Sequence, residues 1–209
     1  MYYVTVPAVT RPRVRFRREA ARMISTICNP FLTALTLFVI LSHMLANSTS
    51  EFWRLLFLSS FFTAIGPMLY TYWCYTHGQI SDFDMSVRTE RDAVFSGFIA
   101  FYFFGTVTLA FCHAPALLVA TMAGYTANAV IVGAITHHWK ISTHAIGITA
   151  PLVVLWILYK PAPLPFFLLI PLVGWARLYL KAHTPAQVIA GTALATVTVL
   201  FFFRVYHVG

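Results

Sequence analysis

Charge is scarce in this chain: its 209 residues include 14 Lys and Arg and six Asp and Glu, against 59% apolar residues. A soluble domain of this length needs a polar outer face on each of its elements, and so few charges do not supply one. Cysteine is scarce as well. Cys28, Cys74 and Cys112 each stand inside an apolar stretch with no second cysteine nearby, which argues against a disulfide framework and a CxxC metal site. Also missing are a Gly-x-Ser-x-Gly nucleophile elbow and any His-x3-His, His-x2-His-His or Asp-x3-Asp pattern. These absences weigh against a serine hydrolase and a metallohydrolase, so neither a metal nor a cofactor is expected. The net charge of +8 has no soluble face to occupy. Nucleic acid is therefore not an expected partner, and membrane lipids are.

What the chain does have is long uncharged runs. Residues 23–50, 55–81, 93–139, 141–159, 161–176 and 182–203 contain no Asp, Glu, Lys or Arg, and a membrane-spanning helix needs only about 20 such residues. The run 93–139 is about twice as long as one crossing requires, and His113, Ala114 and Pro115 mark its middle. It divides into two helices. The pattern predicts an all-α, polytopic membrane bundle of six or seven spans, near 23–46, 52–77, 93–112, 115–137, 143–159, 164–181 and 185–206. The sixth is expected to be short and kinked, because Pro161, Pro163, Pro165 and Pro171 crowd it.

Arg11, Arg13, Arg15, Arg17, Arg18 and Arg22 crowd the first 22 residues. The apolar run behind them exceeds the about 7 to 15 residues of a cleaved signal, and Met44-Leu45-Ala46 fits a cleavage site poorly. Residues 1–22 are accordingly expected to lie at the lipid headgroups, ahead of a single transmembrane domain over 23–209. With seven passes, eleven of the fourteen basic residues fall on one side, and only Arg54, Lys160 and Arg204 opposite. The positive-inside rule makes that side cytoplasmic, in a multi-pass protein of the cell membrane.

The same parity gathers the polar residues. The loop 79–92 holds Asp82, Asp84, Glu90, Asp92, Arg88 and Arg91; the next loop on that side holds His137, His138, Lys140, Ser142 and His144; the third holds Arg177, Lys181, His183 and Gln187. Ser142 or Thr143 can cap a helix starting near His144, and Thr184-Pro185 reads as a cap followed by proline at the first helical position. Two helix starts facing a pocket lined by arginines form an anion site in outline. His137 and His138 serve equally well as helix-end residues. His43, His77, His113 and His207 stand in no motif and read as structural.

At this point a resemblance appears. Trp175-Ala176-Arg177, five residues, then His183-Thr184-Pro185-Ala186-Gln187 resembles the third signature of the type 2 phosphatidic acid phosphatase (PAP2) superfamily, Ser-Arg-x5-His-x3-Asp. Ile141-Ser142-Thr143-His144 is similar to its second, Pro-Ser-Gly-His. Ala176 and Gln187 stand where the pattern has Ser and Asp, and Ile141 and Thr143 where it has Pro and Gly. The first signature, Lys-x6-Arg-Pro, aligns Arg91 with Asp84 at the lysine position, leaving Arg88 or Lys140 to provide that charge.

The resemblance implies metal-independent phosphoryl transfer from a phosphorylated lipid. His183 is then the nucleophile that forms a phosphohistidine and His144 the general acid, while Arg177, Arg91, Arg88, Lys140 and Ser142 bind phosphate. Gln187, Thr143 and Asp84 support them. Imidazole suits both catalytic tasks because it titrates near neutrality, and planar guanidinium groups suit phosphate oxygens. Asp82, Asp84 or Glu90, folded over the site, would supply the carboxylate that Gln187 does not. Isoprenyl phosphates or diphosphates and glycerophospholipid phosphates are equally compatible substrates for such a lipid-metabolic hydrolase. A catalytically weak member of the fold that binds or transports a phosphorylated lipid is the alternative, and an anion transporter a third reading that no internal repeat supports. The small-residue stretch Gly191 to Ala195 allows close packing within the bundle as easily as between chains.

Overall fold

Asn29 and Pro30 divide the first apolar run. A computed structural model describes residues 12–83 and 87–208, in which helix α1 (Pro12–Ile27) and helix α2 (Pro30–Leu45) meet at a bend of 43°. Asn29 accepts a hydrogen bond from the Phe31 N–H at 2.9 Å, and Pro30 opens α2 where a missing N–H costs nothing. The single span expected over 23–46 is thus two helices. The described part of the basic segment, from Pro12 on, is helical and continues past position 22 to Ile27. Ala21, Ser25 and Cys28 form a buried stripe of small side chains spaced four and three residues apart, while Arg15, Phe16, Arg17 and Arg18 are exposed. That stripe packs α1 against α8 (Leu169–Tyr179).

The other elements follow the apolar runs. Helices α3 (Thr49–Ser60) and α4 (Gly66–Thr76) form one rod through a π-helical turn at Phe61–Ile65. Pro67 cannot donate to an α-helical ladder, and the wider turn, with the Gly66 N–H bonded five residues back to Phe61, absorbs the interruption. Helices α5 (Arg91–Phe111) and α6 (Ala116–Thr136) are joined at His113–Pro115, where the run 93–139 was expected to divide. Helix α7 (Thr143–Tyr159), a 3-10 turn at Leu164–Leu168, α8 and α9 (Pro185–Val205) complete the described residues, which contain no strand.

The fold is all-helical as expected, but length and composition alone qualify fewer spans than six or seven. Four rods are long and apolar enough to cross a membrane, Thr49–Thr76, Arg88–Phe111, Ala116–Thr136 and Pro185–Val205, or five if the bent pair α1 and α2 counts as one. Prolines shorten the rest: α7 stops before Pro161, and Pro165 confines the chain before α8 to a 3-10 turn. Phe57, Leu69, Phe103, Phe104, Phe111, Ile189 and Phe201 are exposed on the outside. Such an outer surface fits an integral membrane protein.

Helix α7 is the hub. It packs on α9, α2 and α8, and Ala145, Gly147, Ile148, Ala150, Leu152, Val153 and Val154 are all buried, which is why its sequence is apolar on every side. The approach of α9 is close because Gly191 faces it. A Cβ there would stand 2.6 Å from the Ser142 carbonyl oxygen and 3.2 Å from the Ala145 Cβ. The small-residue stretch therefore starts with a contact inside the bundle. Alanine is the better helix former by about 1 kcal/mol, yet overpacking against backbone costs about 1–3 kcal/mol. Gly191→Ala is expected to lower the unfolding temperature in detergent; an unchanged or higher value would show that α7 and α9 are not so tightly apposed.

Candidate active site

Three chain turns meet at one end of the bundle. At the first, Ser142 is buried, with its hydroxyl accepting from the Ala145 N–H at 3.3 Å, so α7 begins with Thr143 and His144 in its first turn. At the second, Thr184 and Gln187 form a reciprocal capping box at the start of α9: Thr184 Oγ1 accepts from Gln187 N at 3.4 Å, and Gln187 Oε1 accepts from Thr184 N at 3.1 Å. The two helix starts are tied directly, because the Ser142 N–H donates to the Gln187 carbonyl at 3.3 Å. At the third, Arg91 opens α5 and donates from Nη1 to the Ile141 carbonyl at 3.3 Å.

The end of α8 brings His183 to this junction. Lys181, at a φ of 55°, takes the left-handed position of a Schellman turn, in which its N–H bonds Leu178 O at 2.9 Å and that of Ala182 bonds Arg177 O at 3.0 Å. The His183 N–H also donates to Arg177 O, at 3.4 Å. Arg177 and His183, six positions apart, are thereby folded onto one another. Both are buried, Arg177 at 2% exposure and His183 at 7%, in company with Arg91 at 1% and His144 at 6%.

The hydrogen bonds of His183 define its chemistry. Its Nδ1 lies 3.2 Å from Gln187 Oε1, the same oxygen that accepts from Thr184 N. That oxygen can only accept, so Nδ1 carries the proton and Nε2 the lone pair. Nε2 is buried without a hydrogen-bond partner among the described residues. Burial pushes the imidazole pKa from 6.5 down to about 3, helped by the positive charges of Arg177, Lys140 and Arg91 and opposed by the bond to Gln187. A neutral ring with a free lone pair among cations has the chemistry to attack an anionic phosphoryl group.

Arg88, Glu90 and Asp92 are engaged in another way. Arg88 donates from Nη1 to the Thr136 carbonyl at 3.0 Å and to that of His137, closing the C-terminus of α6, where a cation also suits the helix dipole. Glu90 accepts from the Ser81 N–H at 2.8 Å and hydroxyl at 3.0 Å, and Asp92 lies 3.5 Å from His137 Nδ1. These contacts pin the loop before α5 and do not carry a carboxylate onto His183. Asp84 lies outside the described residues. Among those residues no three His, Cys, Asp or Glu side chains group as metal ligands.

An apolar cleft of about 90 Å³ opens beside Thr143 and His144 and runs between α2, α5, α6 and α7, past Phe31, Phe95 and Phe98 to Tyr102 and Tyr125. Sequence reasoning missed this wall, although Phe95, Phe98 and Tyr102 follow a three-and-four spacing that puts them on one helix face. It also missed Ser25, whose hydroxyl accepts a 2.6 Å hydrogen bond from Arg177 Nη1 across the bundle. Nothing in the sequence distinguishes that serine.

The family model of the PAP2 superfamily matches residues 133–208. This segment holds α7, α8 and α9 with Lys140, Ser142, Thr143, His144, Arg177, His183 and Gln187, and the match bears out the family resemblance of its two motifs. Members of that superfamily are generally phosphatases, so the segment has a phosphatase-type fold. Arg88, Arg91 and the helices through α5 lie before the matched segment. No curated protein and no solved structure matches the chain.

Proposed function

We propose that this chain is a membrane-embedded, metal-independent phosphatase acting on a phosphate monoester or diphosphate of a lipid. The observation that carries the reading is His183 Nε2, a buried lone pair held in orientation by Gln187 and surrounded by Arg177, Lys140 and Arg91. In the first step Nε2 attacks the terminal phosphorus, the N–P bond forms, the P–O bond to the lipid alcohol (monoester) or to the lipid monophosphate (diphosphate) breaks, and His144 gives a proton to the departing oxygen. In the second, water attacks the phosphohistidine while His144 takes its proton, and breaking the N–P bond releases phosphate. Arg177, Arg91, Lys140 and the N–H groups at the start of α7 neutralise the phosphoryl oxygens.

The cleft beside His144 supports an apolar leaving group, since the side of phosphorus facing the general acid is the side from which the alcohol departs. Isoprenyl and glycerophospholipid phosphates both meet that requirement. The concentration of basic residues at the site end supports a cytoplasmic orientation of the site and N-terminus, in one transmembrane domain following the basic segment. The test is phosphate release in EDTA by purified protein from phosphatidic acid, phosphatidylglycerophosphate and isoprenyl mono- and diphosphates. Absence of release from folded protein with every lipid would overturn the catalytic reading and leave a binder or carrier of phosphorylated lipid, the second reading that Gln187 favours.

Gln187 also sets an expected rate. A neutral amide stabilises the imidazolium character that develops on His183 less than a carboxylate does. A charge-assisted bond exceeds a neutral one by about 1.4 kcal/mol, or about tenfold in rate. Gln187→Glu is expected to raise kcat by about that factor. It should also raise the His183 pKa, so the acid limb of kcat/KM moves toward neutral pH, the reverse of the wild-type shift. A Gln187→Glu enzyme with lower kcat and an unmoved limb would show that Gln187 does not orient the nucleophile.

A further inference from the structure

The contact between Ser25 and Arg177 joins the N-terminal basic helix to the site. Arg177 is held at the end of α8 with its charge acting on His183, and its Nη1 donates to Ser25 Oγ at 2.6 Å between side chains 152 positions apart. Both residues are buried, at 2% and 7% exposure. The adjacent Ala176 is buried too and has no side-chain polar atom to offer. Ser25 is also the polar member of the stripe Ala21, Ser25, Cys28 by which α1 docks. Small side chains alone would suffice for docking, but a buried hydroxyl needs a partner, and the one it meets is the guanidinium beside the nucleophile.

We infer that Ser25 is a positioning residue of the phosphate site, which orients the Arg177 guanidinium toward the phosphoryl group and makes helix α1 part of the catalytic unit. The inference rests on the reading of Arg177 as a phosphate ligand. A guanidinium has five N–H donors in a fixed plane, so anchoring Nη1 sets the direction of the remaining ones. The anchor lies on α1, the helix that also exposes Arg15, Arg17 and Arg18. Seating that helix and setting the Arg177 fork are therefore one event. The proposal extends the functional unit upstream of the segment that matches the family model.

The experiment compares full-length wild type with Ser25→Ala, Ser25→Thr, Arg177→Ala and the Ser25→Ala/Arg177→Ala double variant. It reads lipid-phosphate turnover, inhibition by inorganic phosphate, direct binding of inorganic phosphate, and unfolding temperature. Ser25→Ala is expected to weaken phosphate binding and lower kcat/KM about tenfold, the effect of losing one charge-assisted bond. Ser25→Thr, which keeps the hydroxyl, should restore both. In the Arg177→Ala background, Ser25→Ala should change phosphate binding no further. An equal loss with and without Arg177, tracking a lower unfolding temperature, would mean that Ser25 only seats the helix and would overturn the proposal. So would a wild-type phosphate affinity in Ser25→Ala while Arg177→Ala has lost it; that outcome leaves the phosphatase reading standing. If wild type neither turns over lipid phosphate nor binds inorganic phosphate, the reading of the site itself fails and the inference falls with it.

Discussion

His183→Gln is expected to cut lipid-phosphate hydrolysis by at least about 10³-fold, because the proposed mechanism runs through covalent transfer to its Nε2. The amide keeps much of the ring's volume and polarity, so loss of activity should come without loss of the fold. A phosphoryl group resistant to alkali and labile to acid should appear on wild type during turnover and be absent from the variant. Stability gives an independent check. The His183 pKa is about 3 in the folded protein and 6.5 for a free side chain. The folded state therefore binds fewer protons than the unfolded state between these limits. By linkage, the stability that neutral His183 contributes is complete above about pH 6.5 and is lost as pH falls toward 3. His183→Gln has no such proton to gain, so its unfolding temperature should decline less than that of wild type across that interval. A variant that still forms the phosphoenzyme would remove His183 from the nucleophile's role.

How far the sequence reveals this arrangement depends on the range of each interaction. The helix starts at Thr143 and Pro185 are legible because caps are local: Ser142 and Thr184 each satisfy an N–H within three residues. The division of 93–139 is legible for a similar reason, since a turn with a proline leaves a local mark. The bend at Asn29 has an equally local cause, but the uncharged run through it hides the break; capping chemistry outranks hydropathy there. Arg88 shows the opposite limit. Its charge and loop suit a phosphate ligand, and only tertiary structure brings the α6 carbonyls to it first. The Arg177 to Ser25 bond depends on helices packed from distant parts of the chain, for which no spacing rule exists, and the spacing of Phe95, Phe98 and Tyr102 marks one helix face without naming the helices that close the cleft with it.

In the proposed mechanism His144 serves both chemical steps, as acid and then as base, and its removal tests both roles. With a lipid alcohol as leaving group, departure without a proton creates a strongly basic alkoxide, so His144→Gln is expected to lower kcat by about 10²–10⁴-fold, the usual range for a lost general acid. A nitrophenyl phosphate departs as a weakly basic phenolate and has little need of that proton. Its first step should therefore be nearly unaffected in the same variant. The second step still lacks the base that activates water, so rapid release of nitrophenol equal to the amount of enzyme should be followed by slow turnover, with the phosphoryl group trapped on His183. The position of His144 in the first turn of α7, buried at the mouth of the apolar cleft, suits a proton donor on the leaving-group side. Equal losses for lipid and nitrophenyl substrates, with no burst and no trapped phosphoenzyme, would assign His144 to phosphate binding and leave the general acid to be sought elsewhere at the cleft mouth.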